Sequence, residues 1–160
     1  EIGKDLFISS GENHGAALLG VEKTGAGFLV KKRWESQGST SVLRNEWQTS
    51  ILVDGYLYGF DNVGGAGPIT HLTCIEAATG KVAWQQARFG KGNAMAADGK
   101  LFVSMMSGEL IVIKISPEKY IELGRQKITR GTRQSPALSD GVLILRDDES
   151  IVAVDVKQTK

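Results

Sequence analysis

Apolar residues along this chain come in short runs of four to six, and each run is cut by a glycine-containing turn. Three stretches show the pattern in full: "SILVDGYLYGF" at 50–60, "AMAADGKLFVS" at 94–104 and "PALSDGVLILR" at 136–146. Each holds an apolar run, an Asp-Gly pair and a second apolar run. Asp-Gly between two apolar runs is the strongest short signal for a β-hairpin, because both central residues of a type I′ turn need positive φ. The glycines Gly55, Gly99 and Gly141 stand 44 and 42 residues apart, and a weaker copy, "IGKDLFIS" at 2–9, lies about one period upstream. A period in the low forties with four strands per unit is the arithmetic of a β-propeller blade. The runs alternate imperfectly between large and small residues, as in sheets covered on both faces. No segment carries a sustained helical period.

The pattern therefore predicts an all-β chain, a β-propeller of four-stranded antiparallel blades lettered A to D from the axis outward. Four blades are expected, at about 1–34, 45–86, 92–128 and 134–156. In the second, strand A is expected at 48–53, B at 56–60, C at 72–75 and D at 82–86, with a glycine-rich loop over 61–70. In the third, A falls at 93–97, B at 101–105, C at 109–115 and D at 121–128. The first blade supplies B from Leu6, C at 16–21 and D at 28–34; the fourth supplies A at 135–138, B at 142–145 and C at 151–156. Both terminal blades thus lack a strand. Because open sheet edges invite aggregation, the favoured expectation is a share of a larger ring of about eight blades. A self-associating half ring and a small four-bladed ring are the alternatives.

Composition narrows what such a chain does. It has 160 residues, and 19 basic residues against 18 acidic ones leave a net charge of +1, with no basic face for nucleic acid. No apolar run approaches the roughly 18 residues that a membrane-spanning helix needs. Cys74 is the single cysteine, which excludes an internal disulfide and a multi-cysteine zinc site.

Motifs that suggest chemistry fail on context. Thr79-Gly80-Lys81 resembles a fragment of a phosphate-binding loop. The upstream glycine and the Ser or Thr after the lysine are missing, however, and Val82-Ala83-Trp84 continues as strand. "GGAGP" at 64–68 lacks both the dinucleotide spacing and a following helix. Both read as turns. His14 and His71 have no second ligand at metal spacing. Asp147-Asp148-Glu149 lacks the alternating oxygen ligands of an EF-hand and reads as a solvated turn. No catalytic residue and no metal ligand is assigned.

The stretch "LTCIEAATGKVAW", residues 72–84, is similar to the repeat of pyrroloquinoline-quinone-type (PQQ-like) propellers: an apolar strand, an acidic residue, Ala-Thr-Gly-Lys, then an apolar pair and Trp. The resemblance covers 45–156 well and 1–34 more loosely, and places the chain near the quinoprotein alcohol dehydrogenase-like superfamily of bacterial propellers. It implies that Trp84 and Trp34 pack between neighbouring blades; the third repeat departs from it in lacking a tryptophan in strand D. It also implies a periplasmic or cell-surface location.

Two functions follow from the resemblance. One is a non-catalytic extracytoplasmic module that binds or assembles a protein or polymer through its top face or an exposed edge, with no cofactor. The alternative is an oxidoreductase acting on an alcohol or sugar with PQQ and calcium. That branch typically flanks its quinone with a disulfide between adjacent cysteines, and Cys74 alone does not supply one, so the binding module is favoured. In propeller topology the D–A and B–C loops share one face. Those loops carry Arg44, Asn45, Glu46, Trp47, Asp61, Asn62, Arg130, Arg133, Arg146 and Asp147. Of these, Arg44, Asn45, Trp47, Arg130, Arg133 and Arg146 are the candidate ligand contacts, because converging arginines suit an anionic group or a carboxylate-bearing segment.

Overall fold

A computed structural model describes residues 1–11, 14–63 and 69–157. The "GGAGP" segment lies outside the described residues. Among the described residues fourteen strands form four antiparallel sheets, each built from strands consecutive in the chain. The first holds β1 (Asp5–Ser10), β2 (Gly15–Thr24) and β3 (Gly27–Gln37). The second holds β4 (Ile51–Val53), β5 (Tyr56–Val63), β6 (Ile69–Glu76) and β7 (Val82–Gln86). The third holds β8 (Gly92–Ala97), β9 (Lys100–Met105), β10 (Glu109–Lys114) and β11 (Glu122–Lys127), and the fourth β12 (Ala137–Ser139), β13 (Val142–Arg146) and β14 (Ile151–Asp155). The expected all-β propeller with sheets of three or four strands is what the chain adopts.

The hairpins form where the Asp-Gly pairs predict them. Asp54, Asp98 and Asp140 have φ of 48°, 49° and 49°, and the glycines after them 81°, 66° and 76°. Both central residues are left-handed, as a type I′ turn demands. Each turn is further tied by a bond from the end of strand C. The N–H of Ala77, Ile115 and Val156 donates to the carbonyl of Gly55, Gly99 and Gly141, at 2.9 Å each time.

The chain divides into two compact units, Glu1–Phe89 with Pro117–Lys119, and Gly90–Ser116 with Tyr120–Lys160. Each has its own core. In the first, buried Leu43, Leu57, Ile75 and Ala77 pack with Phe7, Trp34 and Val42. In the second, Phe102, Leu110, Leu143 and Leu145 pack with Met95, Val112 and Val154.

Three sheets repeat a bulge between strands C and D, at Leu18/Leu19, Cys74/Ile75 and Val112/Ile113. The residue facing it just before the shift is Trp34, Trp84 and Gly124. Gly124 thus fills the register position that holds tryptophan in the other two sheets.

One expectation is corrected. The loop at 61–70 is much shorter than foreseen, because Asp61, Asn62 and Val63 continue β5 while Ile69 and Thr70 begin β6. Asp61, Asn62 and Thr70 are buried. Asp and Asn are turn formers in isolation; here buried partners hold them in the ladder. The short innermost strands also begin later than expected, at Ile51 and Ala137.

Candidate functional site

In the first unit the segment before β4 turns inward at Leu43, whose φ is 49° and whose side chain is wholly buried. Asp61 then gathers Arg44. Its Oδ1 accepts from the Arg44 backbone N–H at 3.1 Å and from Nε at 2.7 Å, while Oδ2 accepts from Nη2 at 2.9 Å. The two residues are 4% and 2% exposed. A planar guanidinium suits this two-pronged contact, and hydrogen bonds to ionised groups are the strong ones.

The neighbouring backbone is equally committed. The Arg44 carbonyl accepts from Asn62 N–H at 3.1 Å and from Asn62 Nδ2 at 2.8 Å, and Asn62 Oδ1 accepts from the Thr70 hydroxyl at 2.7 Å. Ser9 donates to the Leu43 carbonyl and accepts from Asn45 N–H. Asn45 is buried, with Nδ2 donating to Ser50 Oγ at 2.9 Å. Arg44 and Asn45, expected as ligand contacts, thus lie inside the fold. Two buried atoms beside them, Asn45 Oδ1 and Gln48 Nε2, have no hydrogen-bond partner among the described residues.

Trp47 reaches solvent, at 39% exposure, as do its neighbours Glu46 and Thr49. With Ser10, Gly11, His14 and Glu46 it lines an open cleft of about 400 Å³. Ser10 and His14 also line an adjoining cleft of about 350 Å³, walled by Ala16, Ala17, Glu35 and Gln37. Together they make a groove of mixed apolar and hydroxyl character beside an exposed indole. Such a surface suits an extended polar segment with an apolar side chain seated on Trp47.

In the second unit Asp147 holds the place in its sheet that Asp61 holds in the second. Asp147 is buried, and Oδ2 accepts the Arg130 backbone N–H at 2.9 Å across the same 17-residue separation as Arg44 and Asp61. Oδ1 accepts from Glu149 N–H at 2.9 Å and from Ser150 N–H at 2.7 Å. These bonds, the one from Arg130 first, hold the Asp147 carboxyl far below its ordinary range. The Arg130 side chain stays outside and pairs with Glu149. Arg133 is exposed and its carbonyl accepts from Asn93 Nδ2 at 2.8 Å, while Arg146 ends β13 on an exposed face.

The tryptophans sit in packing positions. Trp34 donates from Nε1 to the Ala77 carbonyl at 2.9 Å, and its ring lies against Phe7 with centroids 6.0 Å apart. Gly80, at φ 74°, closes the turn beneath it; a Cβ there would come within 2.8 Å of the ring. Trp84 packs on Tyr58 of its own sheet at 6.0 Å. Cys74, also in that sheet, is fully buried, which pushes its thiol up to about 11. His71 Nδ1 accepts the Arg88 N–H at 2.9 Å. Among the described residues no group of three or more His, Cys, Asp or Glu side chains could hold one metal ion, and no helix is long and apolar enough to cross a membrane.

The sequence set these residues on loops, and Arg146 instead ends β13; it did not foresee the Arg–Asp ties. Their signal was present: an arginine in the loop before strand A and an aspartate at the end of strand B, 17 residues apart in two repeats.

Comparison with the curated proteins finds no match. Among solved structures, BamB from Moraxella catarrhalis matches with a TM-score of 0.57 at 11% identity, over 95% of this chain and 47% of that one. The chain therefore spans about half the length of that BamB structure. At this identity the likeness speaks for the fold. A family model described as "Outer membrane protein assembly factor BamB" matches residues 69–160, more than half of the chain. Taken with the repeated Asp-Gly hairpins and the four meandering sheets, this makes the chain a member of the PQQ-like repeat family described by that assembly factor.

Proposed function

We propose that this chain belongs to a non-catalytic, extracytoplasmic propeller that binds or assembles a protein or polymer. The observation that carries the reading is the family match over 69–160, to a family described by an outer membrane assembly factor. The clefts beside Trp47 support this reading. The groove beside Trp47 and His14 is the contact surface of the first unit, with Arg44 and Asn45 supporting it from within. Arg130, Arg133 and Arg146 are the exposed cationic contacts of the second. In this reading Trp34 and Trp84 are pegs between blades, and each sheet is one blade.

The quinone-dependent alternative has a donor set that does not fit this chain. A flanking disulfide needs two adjacent cysteines, whereas Cys74 is buried in β6 with a protonated thiol.

Two measurements test the proposal. Titrating the protein with PQQ and calcium should leave tryptophan fluorescence unchanged and support no dye-coupled oxidation of simple alcohols; saturable quenching with turnover would sink the binding reading. A photo-cross-linking residue at Trp47 should give one discrete adduct in the extracytoplasmic fraction, and the same residue at exposed Lys119 should not. Equal labelling from both positions would remove Trp47 from the contact surface.

A further inference from the structure

The hairpin of β2 and β3 is built differently from its counterparts. In the second and third sheets the C–D ladder closes as soon as strand C ends: Glu76 N–H donates to the Lys81 carbonyl at 2.8 Å, and Lys114 N–H to the Ile121 carbonyl at 2.9 Å. Their counterpart in the first sheet is Gly20. There the pairing runs on through Val21↔Val30, Glu22↔Leu29, Lys23↔Phe28 and Thr24↔Gly27. Strand β1 stops at the level of Gly20, so this extension is two strands wide.

A two-stranded arm cannot bury its own apolar side chains. Every residue from 21 to 33 is exposed, with Phe28 at 71%, Val30 at 54% and Leu29 at 45%. Side chains alternate along a strand, so Phe28 and Val30 share one face with Val21 while Leu29 lies on the other. The tip thus carries Phe28 and Val30 on one face and Leu29, paired opposite Glu22, on the other. Lys23 is paired opposite Phe28, Lys31, Lys32 and Arg33 stand behind the tip, and Glu22 is the acid of the arm. The pairs Lys31–Glu22 and Lys32–Glu35 lie at the surface and are readily exchanged for another anion, while Arg33 is held by Asp5 through two hydrogen bonds.

We propose that this arm is an interfacial anchor: it seats the Phe28–Val30 tip among the headgroups of a bilayer rich in anionic phospholipid, with Lys23, Lys31 and Lys32 against the phosphates. An apolar tip backed by cations is what such an interface takes up. A second copy of the chain fits less well. Antiparallel pairing of β3 with itself about its middle would set Lys32 opposite Lys32 and Lys31 opposite Arg33, and like charges placed directly opposite repel. A partner strand along the open edge of β3 would pair its backbone groups but leave the Phe28 and Leu29 side chains, which stand out from the two faces, largely exposed. The backbone groups along the open side of β3 need water, which limits insertion to headgroup depth. The inference is independent of the binding reading above.

The experiment is co-sedimentation of the full chain with vesicles of phosphatidylcholine and phosphatidylglycerol in equal parts, against phosphatidylcholine alone. Binding is expected to the anionic vesicles only, weakening as salt rises. Replacing Phe28 and Leu29 by serine should lower it by at least about tenfold, with the far-ultraviolet spectrum unchanged. Lys31→Glu with Lys32→Glu should lower it similarly. A Phe28→Trp variant should shift its emission to the blue with anionic vesicles. Three results would overturn the proposal: wild-type protein that stays in solution, serine variants that bind as tightly, or a vesicle-free dimer that the serine variants dissolve, which would assign the arm to a second copy.

Discussion

Arg44 and Asp61, 17 residues apart, grip each other through two parallel hydrogen bonds while both side chains are almost sealed from solvent, at 5% and 3% exposure. The same carboxylate also holds the Arg44 backbone N–H. The pair therefore fixes the course of the chain between the first two sheets of its unit. Removing one partner leaves the other charged and buried. Arg44→Ala or Asp61→Ala should cost about 3–5 kcal/mol, read from the urea midpoint. Replacing both, Arg44→Met with Asp61→Leu, should cost less than either single change. Additive losses would show that the two residues act separately.

Asp147 gives the second unit a pH dependence. Its carboxyl is ionised far below the ordinary range in the folded chain, whereas in the unfolded chain it titrates near 4. A group with a depressed folded value contributes its stability above the unfolded value and loses it as pH falls from there toward the folded one. Wild-type protein should therefore lose stability on acidification below about pH 4 more steeply than Asp147→Asn, measured as denaturation midpoints across that range. Parallel curves would show that the N–H contacts do not act on the carboxylate.

Trp34 couples its strand to the next sheet through one hydrogen bond, to the Ala77 carbonyl, and packs on Phe7 of its own sheet. Trp34→Phe removes the bond to the Ala77 carbonyl and should cost about 1 kcal/mol. Trp34→Ala, at a half-buried site, should cost nearer 3 kcal/mol. Gly80→Ala combines a left-handed backbone with a Cβ 2.8 Å from the ring and should cost about 1–3 kcal/mol. The melting temperatures of the three variants should fall in that proportion.

Cys74 should be inert while the chain is folded. With its thiol pushed up to about 11, roughly one molecule in a thousand carries a thiolate at pH 8. Burial closes off the approach as well. Iodoacetamide should label the protein rapidly in urea and barely without it, followed by intact mass. Fast native labelling would mean that β6 opens readily.

The turns were legible because their chemistry is local. Asp-Gly demands positive φ at two adjacent residues, and three such pairs at nearly equal spacing predict three hairpins without reference to anything distant. What escaped were features whose cause lies across the fold. Asp61 and Asn62 look like the start of a loop until Arg44 and Thr70 are seen to satisfy them, and Arg44 looks like a ligand contact until Asp61 is seen to occupy it. The extension of β2 and β3 past Gly20 was half visible: the strands were expected, at 16–21 and 28–34, but "VEKTGAGFLV" mixes charge, glycine and apolar residues in a way that does not settle where pairing stops.

The meander of each sheet has a kinetic consequence. Among the described residues every ladder joins strands that are neighbours in the chain, so none of these pairings waits for a distant partner to arrive. Loop closure is then short at each step, and short closures are fast. The Asp-Gly hairpins can nucleate one after another as the polypeptide lengthens, with the contacts between sheets added later. Folding of this kind proceeds in the direction of synthesis, and a chain interrupted between two sheets loses no ladder already made.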